Sequence, residues 1–119
     1  MNYIIMIYEP ASSFALRNDP EKRADYWARW PRYKQALVDA GVFVGGAGLE
    51  LPATATVLKR GTDGKRLIQD GPYADTKEQL GGFFIVNVES LDAALEWAAR
   101  CPLEPHDMIE VRPTLLPPA

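Results

Sequence analysis

Two stretches of this chain are apolar at consecutive positions: Asn2 to Tyr8 reads N-Y-I-I-M-I-Y and Gly82 to Val88 reads G-F-F-I-V-N-V. β-Branched and aromatic residues at that density specify strands. Their apolar residues do not alternate with polar ones, so both faces of each strand must be kept from water, as in the middle of a sheet. Only two helical patterns are available to do this, and two helices shield one face. The other face then carries Ile4, Met6 and Tyr8, or Tyr3, Ile5 and Ile7, depending on register, and either set is too apolar to stand in water. A second copy packed sheet to sheet is the simplest cover, since closed two-fold dimers are the commonest oligomers.

The rest of the pattern fits around those strands. Asp19-Pro20 marks a helix start, with Asp as cap and Pro at the first helical position, after a loop over Ala11 to Asn18. The helix runs to about Ala40 and stops at Gly41, and Pro31 inside it predicts a kink or a split. Trp27, Trp30, Tyr33 and Leu37 recur on one side of it, with Tyr26 beside them, a stripe suited to core packing. Gly41 to Gly48 reads as a strand end and a flexible crossing loop. Thr54 to Lys59 and Arg66 to Asp70 flank Gly61-Thr62-Asp63-Gly64 as a β-hairpin. Ser90 caps a second helix carrying Leu91, Ala94, Leu95 and Ala98, closed by Cys101-Pro102. Met108 to Arg112 is a last strand, and Pro113, Pro117 and Pro118 end the fold. The order β-α-β-β-β-α-β predicts an α+β fold: a ferredoxin-like split βαβ arrangement with an extra hairpin strand.

Length and charge narrow the function classes. A chain of 119 residues, 47% hydrophobic and 24% charged, is one domain with an ordinary soluble composition. A formal charge of −3 speaks against nucleic acid as a partner. Phe83 and Phe84 are adjacent and face opposite ways, unlike the same-face aromatics of an RNA-binding sheet. No membrane span or signal peptide is legible, so a cytoplasmic location is expected. One Cys and one His rule out a disulfide framework and a closed zinc site. Neither a metal on Asp70, Asp75 and Glu78 nor a haem on His106 has support from spacing, so no cofactor is expected. Cys101 reads as a buried, inert thiol, and His106 as a surface or capping residue.

The densest chemistry lies in D-G-P-Y-A-D-T-K-E-Q-L-G-G, from Asp70 to Gly82. This run resembles the signature of the YCII-related proteins, specifically the branch named for its D-G-P-F-A-E-T-K-E motif. The resemblance extends through A-G-V-F-V-G-G-A-G-L-E-L-P-A-T-A-T, L-D-A-A-L-E-W-A-A-R and I-E-V-R-P, nearly all of the chain from Ala40 to Pro113. It implies a dimeric α+β barrel, in which two ferredoxin-like sheets close on each other. It implies fold more than reaction. Some related proteins carry the domain beside sigma-factor-like regions, which points to an accessory role in transcriptional regulation. A His–Asp pair proposed for another branch does not carry over, because His106 stands elsewhere.

Two readings of the motif stay open. In one, Asp70 ends a strand, Gly71 takes an unusual backbone angle, Pro72 sets a turn, and Asp75 caps a helical turn to which Glu78 reaches back. In the other, Asp75, Lys77 and Glu78 are catalytic groups at the mouth of a pocket, with Asp70 and Tyr73 binding ligand. Tyr8 and Trp30 are candidate aromatic walls. Glu110 and Arg112 share one sheet face. They form either a polar floor for a ligand or a solvated ion pair. The expectation is a small-molecule-binding protein or enzyme, the alternative a non-catalytic dimeric accessory module.

Overall fold

The computed structural model describes residues 1–116; Pro117 and Pro118 lie outside the described residues. Strand β1 (Asn2–Pro10) leads into a short helix α1 (Ala11–Ala15), a 3-10 turn (Leu16–Asn18) and the long helix α2 (Arg23–Asp39). β2 (Phe43–Gly48), the hairpin β3 (Thr56–Arg60) and β4 (Arg66–Asp70), β5 (Glu78–Asn87), α3 (Leu91–Ala99) and β6 (Met108–Pro113) follow. The four-stranded sheet has the order β2-β5-β1-β6, with every neighbour antiparallel. β1 and β2 are thus held apart by β5, the split βαβ arrangement expected from the sequence.

Alternation along β1 decides which face meets the helices. Tyr3, Ile5, Ile7 and Glu9 are buried, while Ile4, Met6 and Tyr8 are only partly covered. Tyr3 and Ile5 pack with Val86, Tyr33, Leu37, Ala94 and Ala98, which join the sheet to α2 and α3. Ladder partners share a face. Pairing of Met6 with Phe83 and Glu110, and of Ile4 with Ile85 and Arg112, therefore places all of these on the opposite side.

Local chemistry sets the element ends. Gly41 takes φ +72° after α2, and Val42 N–H donates back to Leu37 O, a glycine stop. Ser90 Oγ accepts from Ala93 N–H at 3.1 Å, the expected cap of α3. Asp19 Oδ1 accepts from the N–H groups of Glu21 and Lys22, but the helix itself begins at Arg23. Pro31 does not split α2, which runs through it for 17 residues.

Four expectations need correction. Ala11 to Asn18 is helical in two short pieces rather than a loop. Gly41 to Gly48 is not a crossing loop: Phe43–Gly48 is a full edge strand against β5. Gly46 is what lets it lie so close, since a Cβ there would stand 2.5 Å from Phe83 O. The β3–β4 hairpin adds no strand to the main sheet but makes a two-stranded sheet of its own. It leaves Leu58, Leu67 and Ile68 exposed, the last by 68%. The Cα radius of gyration of 16.5 Å exceeds the roughly 13–14 Å of a compact chain of this length. Finally, no helical turn follows Asp75, because Gln79 organises that loop instead. Its Nε2 donates to Ala74 O at 2.7 Å and to Thr76 O at 3.0 Å, and Thr76 Oγ1 donates to Glu78 O at 2.6 Å.

Candidate functional site

The parity that buries Tyr3, Ile5 and Ile7 on the helix side of β1 delivers Glu9 to the same side, where it is only 2% exposed. A buried carboxylate needs partners. Tyr26 Oη, from the first turn of α2, donates to Glu9 Oε1 at 3.0 Å. Arg17, from the 3-10 turn, lies 3.5 Å from Glu9 Oε2 through Nη2 and donates through Nε to Tyr26 Oη at 3.4 Å. Arg17 also donates to Gly81 O and Leu49 O. Its guanidinium carbon sits 4.9 Å from the Phe14 ring centroid and 5.7 Å from that of Trp27. Trp27 Nε1 in turn donates to Arg17 O at 3.1 Å. The 3-10 turn Leu16–Asn18 is therefore what carries the cation inward.

The double glycine of the motif makes room for this cluster. Ile7 pairs with Gly82 and Tyr8 with Leu80, so Gly81 is an extra, bulged residue of β5. A Cβ there would stand 1.7 Å from Glu9 Oε2. Burial pushes the Glu9 carboxyl above its ordinary value; the Tyr26 hydroxyl and the Arg17 charge pull against this, and Asp107 adds to the rise. Burial likewise raises Tyr26, which keeps its hydroxyl protonated as a donor.

A cavity of about 430 Å³ opens above these groups, between α2 and the β2–β5 edge of the sheet. Trp27, Trp30, Pro31, Phe43 and Phe84 line it, and Lys34 stands on its wall. Trp30 stacks on Phe84 at 6.2 Å with planes 20° apart, and Trp27 meets Tyr26 edge-on at 5.2 Å. Size and lining are those of a small-molecule site: apolar walls with a few convergent polar groups.

The residues singled out from sequence do not gather in one place. Trp30 lines the cavity, whereas Tyr8, Glu110 and Arg112 lie on the opposite sheet face by register. Asp70, Asp75 and Lys77 are exposed on the hairpin-to-β5 connection, and Tyr73 is 80% exposed, its ring 5.6 Å from Lys59 Nζ. Glu78 pairs with Pro10 at the start of β5. Gly71 has φ +95° and its N–H donates to Ala55 O, as the turn reading requires. Sequence reasoning missed Glu9, Arg17 and Lys34 as site residues and took Tyr26 for core packing. One signal was there: Glu9 continues the buried parity of Tyr3, Ile5 and Ile7. Among the described residues no three His, Cys, Asp or Glu side chains come together as a metal site. His106 takes φ +73° in the turn before β6, and Asp107 is held by Ser13 Oγ at 2.6 Å rather than by the histidine. Cys101 is buried, which pushes its thiol up to about 11.

Sequence comparison agrees with the motif. The YCII-related domain model matches residues 1–115. This chain belongs to that family. It is also 34% identical over 101 residues to an uncharacterized protein of Rhizobium meliloti (strain 1021), covering 82% of this chain and 77% of the relative. As a YCII-related protein it brings its signature to the site through Gly81 and Gly82, while the charged half of the motif stays outside the cavity wall. No helix among the described residues is long and apolar enough to cross a membrane.

Proposed function

We propose that this YCII-related protein binds a small organic molecule in the cavity between α2 and the β2–β5 edge. The observation that carries the proposal is the buried Glu9–Arg17–Tyr26 cluster at the floor of an aromatic-walled cavity. A buried ion pair adds little to stability compared with apolar packing. Its place at the base of an open cavity suits recognition better. Asp75, Lys77 and Glu78 stand outside this wall, so the part assigned to them from sequence requires a ligand that reaches the hairpin connection.

The protein also works as a homodimer in this reading, closed through the sheet face opposite the helices. That face carries Ile4, Met6, Phe83 and Ile85, and its flanking strand supplies both an acid, Glu110, and a base, Arg112. One surface offering apolar area and both charges is self-complementary under a two-fold axis. The barrel that the family resemblance implies is such a closure.

Native mass spectrometry compared with the denatured mass tests both readings. The expected species is a dimer with a non-covalent added mass that Trp30→Ala loses, and Ile85→Lys yields a folded monomer. An added mass retained by Trp30→Ala refutes this cavity. A dimer without added mass, indifferent to aromatic ligands in solution, leaves the accessory module instead.

A further inference from the structure

The charges on the cavity wall specify the ligand more closely, on the reading that the cavity is a binding site. The charged residues of the lining are Glu9, Arg17 and Lys34. Arg17 has little left for an anion: four of its five N–H donors go to Glu9, Tyr26, Leu49 O and Gly81 O, and Phe14 and Trp27 lie against its guanidinium. Tyr26 Oη is likewise engaged, donating to Glu9 and accepting from Arg17. Glu9 differs. Each of its oxygens accepts one hydrogen bond from these partners and has capacity for another. The floor therefore presents a spare acceptor within an ion pair of no net charge.

The rim is different in kind. Lys34 is exposed, its Nζ 5.2 Å from the Phe43 ring centroid, and among the described residues it has no ion-pair partner. It leaves the wall with one unneutralised positive charge. That charge opposes a cationic ligand, although aromatic walls alone would welcome one. Between rim and floor the wall is formed by the side chains of Trp30, Phe43 and Phe84, the first and last stacked on each other.

We infer that the cavity takes a planar aromatic acid, its ring against the Trp30, Phe43 and Phe84 side chains, a ring-borne N–H or O–H donating to Glu9 and its carboxylate at Lys34. Recognition is by polarity: donor inward, anion outward. The ion pair at the floor disfavours the reverse orientation, because an anion placed there would face the Glu9 carboxylate with four of the five Arg17 donors already spent.

Four probes with one ring separate these contributions: 4-hydroxyphenylacetate, phenylacetate, 4-methylphenol and tyramine. Binding is followed by quenching of tryptophan emission excited at wavelengths the phenols do not absorb. 4-Hydroxyphenylacetate is expected to bind tightest. Loss of the hydroxyl weakens it about tenfold, and replacing acid by amine weakens it by at least as much. Lys34→Gln, an exposed substitution that does not touch the floor, lowers affinity for the acids about fivefold and leaves 4-methylphenol unchanged. Tyramine binding as tightly as the acid, or acids indifferent to Lys34→Gln, overturns the assignment. If 4-methylphenol binds and the acid gains nothing over it, the ligand class is wrong and the cavity reading stands. If none of the four binds, and Trp30→Ala does not alter the fluorescence of an added hydrophobic dye, the cavity reading falls and this inference with it.

Discussion

Gly81→Ala is the sharpest test of how the floor is built. The new Cβ would sit 1.7 Å from Glu9 Oε2 and 2.8 Å from Glu9 Cδ, against ordinary contacts of about 3.5 Å. The carboxylate must then move on the order of 1.5–2 Å to restore such a contact. It cannot do so and keep its 3.0 Å bond to Tyr26 and its 3.5 Å approach to Arg17. Losing a hydrogen bond to a charged group costs about 1.5–3 kcal/mol, and overpacking a further 1–3 kcal/mol or so. Gly81 does not have a positive φ, so the unfolded-state effect of replacing glycine works the other way, by about 0.4–1 kcal/mol. The expected net loss is about 2–5 kcal/mol. Urea unfolding followed by tryptophan emission measures it, and the melting temperature should fall by roughly 10 °C or more. Glu9→Ala/Gly81→Ala should cost no more than Glu9→Ala alone, because the shortened side chain vacates the space. A Gly81→Ala protein as stable as the parent, or a double variant whose costs simply add, would refute this account of the motif's double glycine.

Other outcomes follow from the same contacts. The Glu9 carboxyl is raised above its ordinary value of 4.5, so the folded state holds its proton more tightly than the unfolded chain does. Its contribution to stability is complete below 4.5 and is lost as pH rises through the higher folded value. The stability–pH curve of Glu9→Gln should therefore fall less steeply over that window than the parent's, in paired denaturant titrations. Cys101, with its thiol near 11, should resist iodoacetamide at pH 8 until denaturant is added; rapid labelling of folded protein contradicts its burial. Gln79→Ala removes the side chain that holds Ala74 and Thr76 and should speed proteolysis at residues 74–78. Asp75→Ala caps no helical turn and should change stability by less than about 0.5 kcal/mol, as urea midpoints would show.

Much of the architecture was legible because it follows from local rules. Consecutive apolar residues in Asn2 to Tyr8, a Ser90 cap and a Gly41 stop act within a few residues of themselves, and the structure keeps all three. The hairpin was also legible, but not its isolation from the main sheet, since strand pairing over long separations is not a local property. The site was the least legible part. Asp70, Asp75, Lys77 and Glu78 stand out by charge in the sequence, yet Glu9, Arg17 and Tyr26 are the charged and polar groups that meet inside.

By itself, then, the sequence determined the main strands and helices and that neither face of β1 could stand in water, while which face meets the helices waited for the structure. Period-two alternation and terminal capping act over short spans and are written into neighbouring residues. Only the tertiary structure decided that Gly81 is a bulged residue opposite β1, that Arg17 turns inward beside Trp27, and that Lys34 stands at the rim. Glu9 and Gly81 lie 72 positions apart. Their fit depends on strand register and on the absence of one methyl group, and neither acts until the chain has closed on itself.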